Sequence, residues 1–299
     1  MSSWLISLEG TLAGQHLALG LALLAAVLHA LFGALQKGRH DPWLSRAAID
    51  LCYGAIAAPF ALFVVPWPEP HMWAIFIGAF GIHTVYKLLQ AMTYSRGAYT
   101  VVYPVVRGSG PLFTVLIAGM VFAEHYAPLQ WLGVAMLTGG IFLLAAYNLR
   151  HLTVARETLV PALGFALATG ALVAAYTTYD AWGIRATADP FTFLAWFFLI
   201  DSFAMPLISA RRLLAVPRGD LGPLFRRGLL GAIVAFFSFG SIMLATRLDR
   251  VGEAAVLRET STVFAALIGW LVLKEKVGLV RALLMGLIAL GAVVMEMAG

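Results

Sequence analysis

The sequence predicts an all-α polytopic membrane protein, with ten transmembrane helices arranged as two inverted five-helix repeats. Three observations predict it. Of 299 residues, 61% are hydrophobic and only 12% are charged, and the mean hydropathy is +0.88. Soluble domains carry about 25% charged residues, so lipid must be the main solvent here. Apolar runs of roughly 20 residues, enough to cross a hydrocarbon core of about 30 Å, recur from end to end. The two halves of the chain also resemble each other at a nearly constant offset.

The expected spans are 16–36, 44–65, 72–93, 99–122, 128–147, 160–182, 190–209, 227–246, 252–272 and 277–297. Within lipid, backbone N–H and C=O groups must be paired inside their own segment, so each run is expected to be a helix. Connections are short except 149–159, and 210–226 with Arg211, Arg212, Arg218 and Arg226. The first of these divides the chain into a repeat of residues 1–149 and a repeat of residues 150–299. Residues 1–15 carry no Lys or Arg and no cleavage pattern, and are not expected to be a signal peptide.

The halves align by motif. Span 1 is followed by HDP (His40–Pro42), and span 6 by ADP (Ala188–Pro190), 148 residues later. The stretch 106–125, VRGSGPLFTVLIAGMVFAEH, matches 257–276, LRETSTVFAALIGWLVLKEK, at an offset of 151. That register pairs Arg107 with Arg258 and Glu124 with Glu275. Internal symmetry of this kind is characteristic of transporter repeats. Five is odd, so the second unit enters the membrane from the opposite side and the repeats are inverted.

Charge then bears on orientation. Odd-numbered connections and their helix ends hold fourteen Lys or Arg residues; even-numbered ones hold three, Arg185, Arg247 and Arg250. The positive-inside rule places the odd connections in the cytoplasm and both termini outside the inner membrane. The net charge of +5 is explained by these loops, and no nucleic-acid partner is expected.

These features resemble the drug/metabolite transporter superfamily, in its ten-helix, EamA-type branch. The resemblance rests on the duplicated halves and on helices ending in FAEH (122–125) or LKEK (273–276). Each of these is followed by a Gly-spaced helix, GVAMLTGGIFLL (133–144) or GLIALGAVVM (286–295). The DP pairs followed by an early Arg46 also fit. The resemblance covers about 280 residues. It implies alternating access by a solute transporter, with export the commoner bacterial habit. It also leads one to expect basic residues between spans 2 and 3, where VVPWPEPH (64–71) has none, so family habit and charge count favour opposite orientations.

Ionisable residues inside spans cost roughly 2.5–3.5 kcal/mol each and usually face a wet cavity or a partner. His83 and Lys87 share a face of span 3; Tyr103 and Arg107 share a face of span 4. In span 9, Arg258 and Thr262 share a face, with Glu259 turned about 100° away. Span 1 offers His29, span 6 offers Tyr176 and Asp180, and Asp50 and Asp201 lie in spans 2 and 7.

The functional reading gathers His29, His83, Lys87, Tyr103, Arg107, Tyr176, Asp180, Arg258, Glu259 and Thr262 into a central substrate pocket between the halves. Arg107 and Arg258 would each grip a carboxylate or phosphate bidentately, with Lys87 as a third positive point. The structural reading neutralises Lys87 by Asp50, and Arg258 by Glu259 or Asp201. His83, which titrates near neutrality when unperturbed, is either a proton carrier or a packing residue. Tyr86 and Phe236–Phe237 either line the pocket or face lipid; Trp67, Trp73 and Trp131 read as interfacial anchors. The glycines of spans 5 and 10 suit packing between halves better than a homodimer seam, and both monomer and homodimer stay open. Glu124 and Glu275 end their spans as exposed cap or gate residues.

The leading expectation is a secondary transporter of a small anionic or zwitterionic metabolite, amino-acid-like or organic-acid-like. The lone Cys52 excludes an internal disulfide and a cysteine metal cluster, and no metal or cofactor is expected. No GxxxxGK[ST] loop is present, so the energy comes from the solute gradient, exchange or protons. An alternative is efflux of lipophilic cations, which needs an uncompensated carboxylate at Asp180, Asp201 or Glu259. An intramembrane aspartyl protease would need a GxGD setting, whereas Asp201 sits in LIDS (199–202). A non-transporting receptor would lack extramembrane domains.

Overall fold

A computed structural model of the chain describes residues 2–36, 41–96, 99–150, 156–271 and 278–298. Every regular element among them is α-helical. The first half runs α1 (Ser2–Ser7), α2 (Leu12–Gln36), α3 (Pro42–Phe63), α4 (Met72–Arg96), α5 (Tyr99–Val121) and α6 (Pro128–Arg150). The second half runs α7 (Arg156–Arg185), α8 (Pro190–Asp201), α9 (Ala204–Ile208), α10 (Ala210–Leu214), α11 (Arg218–Leu248), α12 (Val251–Glu259), α13 (Ser261–Leu271) and α14 (Leu279–Met297).

Among the described residues, eight spans are long and apolar enough to cross a bilayer, and α5 adds a shorter apolar stretch, Val105–Val121. The α12–α13 pair fills the ninth position of the expected order. Its lower apolarity comes from Glu253, Arg258 and Glu259, all buried inside the protein.

The DP pairs act as helix starts. Asp189 caps α8 by accepting hydrogen bonds from Phe191 N at 2.8 Å and Thr192 N at 3.1 Å, with Pro190 in the first turn. Asp41 caps α3 in the same way through Trp43 N, ahead of Pro42. A short acceptor followed by a residue of fixed φ is pre-shaped for this position. The repeat marker in the sequence is therefore a capping device used twice. His40 lies outside the described residues.

Two expected spans are broken, and local chemistry accounts for both breaks. Span 7 stops at Ser202, whose hydroxyl donates to Leu199 O at 2.6 Å, and Pro206 has no N–H to carry the ladder across. Span 9 breaks at Thr260, whose hydroxyl donates to Leu257 O at 2.7 Å inside a Thr-Ser-Thr run that competes for backbone groups. The expected seventh loop is also corrected. Residues 210–226 are largely helix, forming α10 and the first turns of α11.

The packing itself displays the inverted repeat. α2 packs on α11, and its counterpart α7 packs on α4; α5 packs on α7, while α12 and α13 pack on α2; α3 packs on α11, and α8 on α4. The pairs α3–α8, α5–α12 and α6–α14 each map onto themselves when the halves exchange. Small residues carry these contacts, as lipid leaves van der Waals fit as a main source of association. A methyl group on Gly133 would sit 2.7 Å from Gly291 O, and one on Gly291 would sit 2.6 Å from Leu137 N. Gly140 meets Ile288 in the same crossing. These three glycines pack between halves, whereas Gly139 and Gly286 face open space.

Candidate functional site

Among the described residues, most buried ionisable side chains of the spans fall into three groups. The first joins α3, α4 and α8. Lys87 Nζ lies 2.6 Å from Asp50 Oδ2 and 2.8 Å from Asp201 Oδ2, and also donates to Tyr53 OH at 2.9 Å and Asp201 O at 2.9 Å. Arg46 Nε sits 2.9 Å from the other oxygen of Asp50, and Tyr53 OH donates to Asp201. The side chains of Lys87 and Asp50 are 0% exposed. Two cations meet two carboxylates here, and the ammonium has no donor to spare for a solute. The geometry favours the ion-pair reading of Lys87 with Asp50.

The second group is His83 on α4 and Asp180 on α7, whose Nε2 and Oδ2 are 2.8 Å apart. The imidazole is packed between Tyr176, at 4.7 Å between centroids, and Phe197, at 4.9 Å. Asp180 Oδ1 is buried and accepts no hydrogen bond among the described residues.

The third group lies where α5 meets α12. Arg107 Nε is 2.8 Å from Glu259 Oε2, and its Nη2 donates to Ser261 Oγ at 2.9 Å. Arg258 Nε lies 3.7 Å from the other Glu259 oxygen, its Nη2 reaches Thr177 Oγ1 at 3.4 Å, and its guanidinium stands 5.9 Å from the Tyr176 ring. A regular helix would turn Glu259 away from Ser261; the break at Thr260 brings both to Arg107. Two guanidiniums thus flank one carboxylate, leaving one positive charge in excess among the described residues.

Groups two and three border a cavity of about 10 Å³ between α7, α11 and α12. Tyr176, Thr177, Asp180, Phe239, Met243 and Arg258 line it. Space of this size suits about one water, not a metabolite. Tyr176 OH, like Asp180 Oδ1, has no partner among the described residues. The site is closed on itself, with polar atoms in reserve.

Of the other expected residues, His29 is buried near Phe32 and Phe239, at centroid distances of 6.1 and 6.2 Å. Thr262 donates to Glu259 O at 3.0 Å, so its hydroxyl serves the helix break. The side chain of Tyr103 and the whole of Glu275 lie outside the described residues. Phe237 is exposed, and Phe236 packs against Phe198 with ring centroids 4.6 Å apart. Asp180 and Asp201 answer to different partners, His83 and Lys87, so they do not form a protease dyad. Among the described residues no three His, Cys, Asp or Glu side chains converge as a metal site.

Sequence reasoning missed Tyr53, Thr177 and the role of Ser261. Hydroxyls carry no charge signal, and only the helix break explains why Ser261 points at Arg107. Glu124, expected to be exposed, is partly buried; it accepts from Val251 N at 2.8 Å and Gly252 N at 3.2 Å, capping α12.

Comparison with known proteins places this geometry in context. The model of the EamA-like transporter family matches residues 16–146 and again 160–297. No curated protein matches the chain. A solved crystal structure superposes with a TM-score of 0.76 at 19% identity, covering 96% of this chain and 97% of its own. At that identity the likeness speaks for the fold alone.

Proposed function

The chain belongs to the EamA-like transporter family, whose members carry small solutes across membranes, and we propose that this member carries zwitterionic or anionic metabolites, amino-acid-like or organic-acid-like. The observation that carries the reading is that Arg258 and the open oxygen of Asp180 border one cavity. Among the described residues the Arg258 guanidinium is held by polar contacts of 3.4 and 3.7 Å, which leaves donors for a carboxylate. Asp180 Oδ1 accepts an ammonium, and Phe239, Ile242 and Met243 offer apolar wall to a side chain. Arg107 acts through Glu259, the carboxylate a bound solute displaces or shares.

Solute enters when α7, α11 and α12 separate, and leaves after the repeats, residues 1–149 and 150–299, rock to expose the cavity on the other side. The hydrogen bond between His83 Nε2 and Asp180 Oδ2 suits proton or exchange coupling of the cycle. Transport is outward across the inner membrane, the direction the family habit favours. Orientation with both termini outside is supported by the Lys and Arg bias, fourteen on the odd-numbered side against three on the even-numbered side. Arg185 and Arg247 bind helix carbonyls, and Arg250 lies 2.9 Å from Glu253.

Efflux of lipophilic cations needs a carboxylate without a partner. Asp201 and Glu259 sit on Lys87 and Arg107, and the open oxygen of Asp180 shares its cavity with the Arg258 guanidinium, which supports the zwitterion instead. The test is uptake into proteoliposomes of a matched set: L-phenylalanine, hydrocinnamate, phenethylammonium and a quaternary ammonium dye. We expect carboxylate-bearing members to be carried and the Arg258→Ala protein to lose them. Dye transport that survives neutralisation of Arg107 and Arg258 would sink the reading.

A further inference from the structure

All three walls of the cavity are tied at the same end of the molecule, by side chains no solute would touch. Arg185, in the last turn of α7, donates to Thr246 O at 2.8 Å and Asp249 O at 2.7 Å, at the end of α11. Arg247, in the last turn of α11, donates back to Ile184 O and to Thr187 O at 2.7 Å, at the end of α7. Each arginine therefore caps the other's helix. The final carbonyls of a helix lack partners within it and gather the negative end of its dipole, so a guanidinium is the fitting counterpart. Arg185 also stands 4.7 Å from the Phe122 ring of the opposite repeat, and Arg247 Nε is 2.6 Å from Glu9. The third wall, α12, is pinned at its first turn by Glu124, also from the opposite repeat.

We propose that the reciprocal Arg185–Arg247 clamp, with Glu124, is the gate of the even-numbered face, closed in this structure. Thr246 connects clamp to cavity, as it lines the cavity while its carbonyl accepts from Arg185. Both partners of each clamp contact are groups that water satisfies once the face opens, so the contacts can break and reform. The fully buried Lys87–Asp50 pair has no such exchange, and stays intact through the cycle. The gate rests on the cavity being the solute's path.

Labelling tests it without any solute, so the gate can fail while the substrate reading stands. In a Cys52→Ser background, Met243→Cys reports access to the cavity. A membrane-impermeant maleimide is applied to right-side-out and to inside-out vesicles, with Glu69→Cys marking the even-numbered face. Arg185→Gln with Arg247→Gln should speed labelling from the even-numbered face by about tenfold and slow it from the opposite face, as the population shifts. Glu124→Gln should act in the same direction. A rate unchanged from the even-numbered face overturns the gate. So does an equal rise from both faces, the signature of general loosening.

Discussion

Tyr53 and Asp201 are each eleven residues beyond the proline of their DP pair, and they hydrogen-bond to each other. The bond therefore joins equivalent places of the two repeats, across the self-paired α3–α8 contact. Duplication set a phenol and a carboxylate at the same point, and Lys87 reaches both.

Removing the phenol should cost stability without emptying the ion network. Tyr53→Phe deprives a buried ammonium and a carboxylate of one hydrogen bond, a loss of about 1.5–3 kcal/mol. Asp201→Ala strands Lys87 beside Asp50 alone and should cost more, about 3–5 kcal/mol. Thermal unfolding in detergent ranks the two, and a Tyr53→Phe protein as unstable as Asp201→Ala would contradict this ordering.

The crossing of α6 and α14 predicts a contrast between neighbouring glycines. Gly133→Val drives a side chain into the Gly291 carbonyl, and overpacking of this kind costs typically 1–3 kcal/mol, occasionally more. Gly139→Ala meets open space and should be neutral or gain up to about 1 kcal/mol from helix propensity. Midpoints of thermal unfolding for the pair check this directly.

Glu259→Gln should convert a half-neutralised site into a stronger anion trap. Without the bridging carboxylate, Arg107 and Arg258 repel each other and both favour an incoming anion. Hydrocinnamate should then bind about tenfold more tightly, equivalent to about 1.4 kcal/mol, while phenethylammonium gains nothing. Titration of intrinsic fluorescence measures both affinities. Equal gains for the two ligands would remove Glu259 from the site.

Asp249, in the turn between α11 and α12, predicts a pH effect. Burial pushes its carboxyl above the ordinary 3.8, against the opposing pull of the Arg250 backbone N–H and charge. A carboxyl raised in the folded state contributes stability that is present below its unfolded value and lost as pH rises through the folded one. Asp249→Asn keeps an acceptor for Arg250 N and abolishes that loss. Its stability relative to the parent should therefore be greater at pH 7 than at pH 4, measured by unfolding midpoints at each pH.

The order of the spans was legible because lipid imposes a single requirement, a run of apolar residues long enough to cross. The duplication was legible because HDP and ADP place the same Asp–Pro helix start at the same point of each half. The breaks at Ser202 and Thr260 were not, since a hydroxyl in a span is equally at home bonded to its own helix. Pairing was half legible. Lys87 with Asp50 was visible as opposite charges in adjacent spans, and Glu259 with Arg258 as chain neighbours. That Glu259 also reaches Arg107 depends on the kink at Thr260, a tertiary fact. The capping arginines Arg185 and Arg247 looked like loop charges, because helix carbonyls leave no trace in composition.

The central claim is that Arg258 and Asp180 hold the solute, and ligand-dependent thermal stabilisation tests it most directly. A zwitterion at 100 times its Kd should stabilise the parent protein by about 2.7 kcal/mol. L-Phenylalanine and its relatives in an amino-acid panel should give this shift, and Arg258→Ala should abolish it. An undiminished shift in Arg258→Ala would place the solute elsewhere.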